Sequence, residues 1–240
     1  MAIKLRIIVP IIDASLLAGV QEEAQAWCAV GTQVDVVQIE RGPQSIENSY
    51  DEALSVPGIL ELVQQAKDDG IDGIFVSCFA EPGVHAAREI FDGPVFGGFE
   101  PAIHAALGTA DKIGILTVLP DVLSMLHRLI GGYGLSERVT DIRVVDMPVL
   151  SVGQHDVLVD RLEAQARAAL DSGAAQSFVL GCTGMLDVAH AVSARLSADY
   201  GQIPVMDPTG SAITALEQAV RLKAVPSRAT YYPPRIKERI

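Results

Sequence analysis

A chain of 240 residues, 49% hydrophobic and 20% charged, is long enough to bury a substantial core as one large domain or two small ones. Its formal charge of −12 and its lack of Lys/Arg clusters exclude the basic footprint of a nucleic-acid binder. No apolar run approaches the ~18 residues of a bilayer span, so the expected partner is a small molecule, not nucleic acid or a membrane.

Leu5 to Val9 is a continuous apolar run ending at Pro10, and the absence of alternation marks a strand of a parallel sheet covered on both faces. Lys4 and Arg6 interrupt what would otherwise be the apolar core of a signal peptide, so a cytoplasmic location is expected. Ser15 stands where it can cap a helix of about Leu16 to Val30, whose Leu17, Val20, Ala24 and Trp27 form one buried stripe. Val34 to Ile39 is the second strand. The polar loop Arg41 to Tyr50, with Ser45 at its centre, leads into a helical stretch from about Asp51; Pro57-Gly58 then opens another helix that stops at Gly70. Ile74 to Ser77 is a third strand ending at Cys78, Val84 to Phe91 a helix, and Pro94 to Gly97 a fourth strand.

The order then restarts. Lys112 to Asp121, which includes Thr117, resembles Lys4 to Asp13 in its apolar run and its proline. A helix Val122 to Gly131, a strand Ile142 to Val145 and a helix Val157 to Leu170 follow in the same sequence of elements. Ser172 to Cys182 parallels Asp69 to Cys78, and Ile203-Pro-Val-Met-Asp207-Pro parallels Gly93-Pro-Val-Phe-Gly-Gly-Phe-Glu100-Pro. Lys112, Cys182, Pro204 and Asp207 stand 108, 104, 110 and 107 residues beyond Lys4, Cys78, Pro94 and Glu100. This internal duplication predicts an α/β fold of two pseudo-symmetric small domains, each a roughly four-stranded parallel sheet flanked by helices, with the active site in the cleft between them. The expected division is residues 1–102 plus 207–225, where the last helix, Ser211 to Lys223, returns to the first unit, and residues 103–206 as the second. Residues 226–240 read as a C-terminal arm, loose or laid on a neighbouring subunit.

Three cysteines cannot complete a disulfide framework and none forms a C-x-x-C pair, so free thiols in a reducing compartment are expected. Cys28, beside Trp27 on the first helix, reads as a packing residue. Cys78 and Cys182 each end a strand before a helical pattern, where open α/β sheets bind ligands. Amides at the following helix N-termini are expected to lower the thiol pKa from ~8.5 toward neutrality. One sulfur on each face of a bound carbon suits inversion of a stereocentre acidified by a neighbouring carbonyl: one thiolate removes the proton while the other thiol supplies one, and no cofactor is needed. Gly181, Thr183, Gly184 and the Ser77 region bring backbone donors close to such a substrate. His85 and His190 are candidates to tune the thiols, Glu81 and Asp187 to raise a thiol pKa or, more simply, to cap helices, and His104, His127 and His155 show no metal-ligand spacing.

At these residues the chain resembles the aspartate/glutamate/hydantoin racemase superfamily, and most closely its hydantoin racemase branch. The likeness runs over nearly the whole chain and is sharpest at Gly42-Pro-Gln-Ser-Ile-Glu-Asn-Ser-Tyr-Asp-Glu-Ala53, at Ser77-Cys-Phe-Ala-Glu-Pro-Gly83 with Ala87-Arg-Glu89, and at Leu180-Gly-Cys-Thr-Gly-Met185. The resemblance implies Cys78 and Cys182 as the acid/base pair of a cofactor-independent racemase of 5-substituted hydantoins, with no metal, a homo-oligomeric assembly, and substrate contacts from Pro10, Ile11, Ser45, Ser77, Phe79, Thr117, Gly181, Thr183 and Gly184. Two departures stand out. Where hydantoin racemases carry Asn-Pro-Asn at the first strand end, this chain reads Val9-Pro-Ile-Ile-Asp13; and Phe79 stands where amino-acid racemases place Asn-Thr after the first cysteine. The second departure favours a cyclic imide or ureide over a free amino acid. Other carbanion or addition chemistry on the same scaffold (amino-acid racemisation, maleate isomerisation, decarboxylation) and noncatalytic small-molecule binding are the competing readings.

Overall fold

The computed structural model describes residues 2–238; Met1, at the head of the first expected unit, and Arg239 and Ile240, at the end of the expected arm, lie outside the described residues. Strands β1 (Ile3–Val9), β2 (Thr32–Gln38), β3 (Gly73–Val76) and β4 (Val95–Phe96) form one sheet. Strands β5 (Ile113–Thr117), β6 (Val139–Val144), β7 (Ser177–Leu180) and β8 (Val205–Met206) form another. The strand orders are β2-β1-β3-β4 and β6-β5-β7-β8, every pairing is parallel, and Ile7 opposite Phe75 is matched by Ile115 opposite Val179. Each sheet is thus a copy of the other, as the repeat requires. The central strands are buried on both faces, which is why they lack alternation. Arg6, the one charge buried in β1, is held by Asp35 at 2.6 Å and Asp69 at 2.7 Å.

The helices are α1 (Leu17–Trp27), α2 (Ser49–Asp68), α3 (Val84–Ile90), α4 (Phe99–Leu107), α5 (Leu123–Gly132), α6 (His155–Asp171), α7 (Ala189–Tyr200) and α8 (Pro208–Leu222). Three local expectations are corrected. Asp13, not Ser15, caps the turn before α1: its carboxylate accepts from the Ser15 amide and hydroxyl. Trp27 is 47% exposed and leaves the buried stripe to Val20 and Ala24. The two helices expected on either side of Pro57 are one, α2. An interior proline costs ~3 kcal/mol, but Ile59 and Val63 beyond it are fully buried and each returns roughly 1.5–3 kcal/mol.

The crossover helices exchange between the halves. Helix α4, which straddles the expected boundary at residue 102, packs on β5, β7 and β8, and α8 packs on α1, β1, β3 and β4. Phe99, Ala102, Ile103 and Ala106 therefore belong to the core of the second sheet, and Ala212, Ile213 and Leu216 to that of the first. The Phe99 ring meets Phe79 edge-on at 5.5 Å and stacks on Tyr133 at 5.7 Å, clamping the turn after β3 to α5. The start of the C-terminal stretch lies on its own α3: Arg228 donates to the carbonyls of Arg88, Glu89 and Phe91, and Arg88 donates to the Tyr231 hydroxyl.

Phe99→Ala is expected to destabilise the fold by about 3–5 kcal/mol, measured as a lowered urea midpoint in equilibrium unfolding.

Candidate active site

Strands β3 and β7 deliver the two cysteines by the same device. The Ser77 amide donates to Ile8 O at 2.8 Å and the Gly181 amide to Leu116 O at 2.7 Å, the last ladder bonds before each chain turns away. Cys78 and Cys182 follow at once and face the same narrow cavity of about 70 Å³, several times the ~10–15 Å³ that one ordered water needs. Of the expected site residues, Pro10, Ile11, Ser77, Phe79, Gly181, Thr183 and Gly184 line this space with the cysteines. Ser45 is half-buried in its loop and Thr117 is fully buried with its hydroxyl 3.3 Å from Gly181 O; neither lines it.

Val9, at the first strand's end, lines it too, and several further lining residues went unnoticed in the sequence. Leu16 and Val20 come from α1 and its preceding turn, Ile46 from the polar loop, Met125 from α5, and Val149 and Leu186 from loops of the second half. Only Val20 had a readable signal, its place on the apolar stripe of α1. The lining residues are apolar apart from small hydroxyl and thiol side chains, and none carries a charge.

Burial in this setting overturns the expected acidification of the thiols. Desolvation pushes Cys78 up to about 12, with the Ala80 amide opposing it and the charges of Cys182, Glu52 and Glu81 adding to it. It pushes Cys182 up to about 11, against the Gly184 and Met185 amides and with help from Glu47. Helices α3 and α7 begin only at Val84 and Ala189, more than a turn beyond the sulfurs, and the helix-end field fades within a turn. Local amides remain: the Gly184 N–H reaches Cys182 Sγ at 3.4 Å.

Glu81 and Asp187 do not cap the helices that follow them. Both sit in left-handed backbone (φ 59° and 54°), and the position before α3 is Gly83, at φ 70°. The buried Glu81 carboxylate instead accepts from the Glu100 amide at 2.8 Å, in the first turn of α4, and from the Tyr133 hydroxyl at 2.7 Å; burial first of all pushes it up to about 7. His85 and His190 are exposed and line other depressions. Bonds between the halves surround the cavity: Thr183 Oγ1 donates to Ser77 O at 3.0 Å, Val149 N to Glu47 at 2.9 Å, and Arg128 to Ser49 Oγ at 3.0 Å. Among the described residues no group of three or more His, Cys, Asp or Glu is placed to hold a metal ion, and no helix is long and apolar enough to cross a membrane.

Two parallel sheets of matching strand order bring a cysteine from each to one cleft, and comparison with known proteins identifies the family. The Asp/Glu/Hydantoin racemase family model matches residues 13–216, and the chain belongs to that family. It is 32% identical over 237 residues to the hydantoin racemase of Pseudomonas sp. (strain NS671), covering 98% of this chain and 93% of the relative. Among solved structures it resembles allantoin racemase from Klebsiella pneumoniae (TM-score 0.91, 30% identity, covering 98% and 95% of the two chains) and from Pseudomonas fluorescens (TM-score 0.92, 24% identity, 99% and 100%). The chain is a racemase.

Thiols with raised pKa values are slow nucleophiles at neutral pH. Iodoacetamide labelling of Cys78 and Cys182, followed by peptide mass mapping, is expected to be slow at pH 7 and to accelerate up to pH 10.

Proposed function

We propose that this chain racemises 5-substituted hydantoins by proton transfer between Cys78, Cys182 and the C5 carbon, without a cofactor. The observation that carries the reading is that two pseudo-symmetric strands place one thiol each on a single cavity with no charged lining residue. In one direction, one sulfur as thiolate takes the C5 proton, the electron pair of the C–H bond delocalises into the C4 carbonyl, and the other thiol donates its proton to the opposite face. The sulfurs have then exchanged roles, and the reverse reaction uses them in the opposite sense. Charge developing on the carbonyl oxygen falls to the backbone amides of the two turns, which already support the sulfurs.

The raised pKa values fit this chemistry. A thiolate is scarce in an apolar cleft, but its high basicity suits removal of a proton from carbon. The same apolar lining speaks against a free amino acid, because an unpaired carboxylate in it would bear a desolvation cost of several kcal/mol. A neutral ring presents no such charge. Val9 and Ile11 line the cavity where the resemblance leads one to expect asparagine amides, so the 5-substituent is expected to be apolar.

Cys78→Ser and Cys182→Ser are each expected to reduce racemisation of a pure 5-benzylhydantoin enantiomer by at least ~10³-fold, as loss of a member of a catalytic unit does; polarimetry follows the reaction, and near-wild-type activity in either variant refutes the reading. kcat/KM is expected to climb from pH 7 to pH 10 instead of levelling near the ~8.5 of an ordinary thiol, because the reactive form needs a proton removed from groups whose pKa burial has raised. Allantoin, whose ureido group would leave buried polar atoms unpaired, is expected to react about 10- to 100-fold less efficiently than 5-benzyl- or 5-isobutylhydantoin, as read by chiral chromatography.

A further inference from the structure

The residues that follow the two cysteines break the symmetry of the repeat. Phe79, after Cys78, is buried against Phe99. Thr183, after Cys182, is buried too, but its hydroxyl crosses to the other half and donates to Ser77 O at 3.0 Å. Ser77 O is the carbonyl joined directly to the Cys78 nitrogen. The matching carbonyl, Gly181 O, has a threonine hydroxyl 3.3 Å away as well, but that one comes from Thr117 on the same sheet. The pairing at Ser77 therefore ties one cysteine's strand end to the other's, where the pairing at Gly181 stays within one half.

The Thr183 methyl adds a second point of hold. A side-chain carbon at Gly98 would stand 3.0 Å from Thr183 Cγ2 and 3.1 Å from Phe79 Cα, so the glycine lets the threonine close against this backbone. Gly98 N in turn donates to Cys78 O at 3.0 Å. Thr183 thus grips the Cys78 peptide on both sides: by its hydroxyl at the carbonyl before it, and by its methyl at the residue that binds the carbonyl after it.

We propose that Thr183 is a positioning residue, whose hydroxyl bond to Ser77 O sets the span between the two thiols. The inference rests on the two-thiol reading and assigns Thr183 a role other than holding the substrate. Its hydroxyl proton is committed to Ser77 O, so loss of that proton alters the placement of the thiols and not the affinity for the ring. If the sulfurs are misplaced, the carbanion meets no well-placed donor on the far face and is reprotonated on the side the proton left, by the sulfur that took it and that in heavy water has exchanged it for deuterium.

The test uses Thr183→Val, which keeps the shape and removes the donor, beside Thr183→Ser, which keeps the donor and removes the methyl, and Thr183→Ala, which removes both. Thr183→Val is expected to lower kcat by about 10- to 100-fold, the scale on which small misplacements act, with KM within about twofold of the native enzyme. In heavy water it should also raise the proportion of deuterium recovered in the unconverted enantiomer relative to the inverted one. Thr183→Ser should restore most of the activity and the native deuterium partition, and Thr183→Ala should not; this Ser/Ala comparison decides the matter if the valine variant fails to fold. Native kcat and partition in Thr183→Val, or equal behaviour of Ser and Ala, overturns the role of Thr183 while inactive Cys182→Ser leaves the two-thiol reading standing. Racemisation that survives Cys182→Ser overturns both.

Discussion

Ionising a thiol in an apolar cleft is costly, and the rest of the site is arranged around that cost. Desolvation is the largest influence on both sulfurs, and the nearby carboxylates of Glu47, Glu52 and Glu81 add to it. Opposing it are backbone amides in the turns just after each cysteine. A cavity that brought lysine or arginine to the sulfurs would give more thiolate, but each would be a weaker base toward carbon. The apolar lining holds the thiols neutral at rest and makes the rare thiolate strongly basic.

Such a site depends on how two separate sheets meet. The exchange of α4 and α8 between them gives each half a helix from the other's stretch of chain, so the halves are built into one another. Phe99 transmits that exchange to the site, since it touches both Phe79 after the first cysteine and Tyr133 just past the end of α5. Polar ties complete the closure: Glu81 joins the Cys78 turn to α4 and to Tyr133, and Glu47 joins the polar loop to Val149. Most of these ties use a backbone amide as one partner, so they fix main-chain position without placing a charge on the cavity wall.

Much of this was readable in the sequence, for physical reasons that also mark where reading fails. The cysteines stood out because parallel strands buried on both faces give unbroken apolar runs, and an abrupt stop at a reactive residue, met twice, is conspicuous. Both sheets followed from the same repeat. Helix α4 went unseen because its nine residues follow a strand of only two, too short to declare a change of period. Pro57 suggested a helix start because local propensity favours one there, whereas burial beyond the proline decided the outcome. The thiol pKa values were expected in the wrong direction because the sequence places a cysteine near a helix start but says nothing of how much protein encloses it.

The duplication also constrains how the two thiols share their work. They are related by the repeat but not equivalent: Cys78 is followed by Phe79 and one supporting amide, Cys182 by Thr183 and two. Burial raises both thiols. A racemase nevertheless interconverts mirror images of equal free energy, so kcat/KM must be the same for both enantiomers however unlike its two bases are. The asymmetry can therefore surface only in how each enantiomer divides that common ratio between kcat and KM. On the two-thiol reading each enantiomer presents its proton to a different turn, and the amides of that turn are what differ between them. Divergence after duplication was thus free to tune the two turns separately, provided that neither sulfur lost its place on the shared cavity.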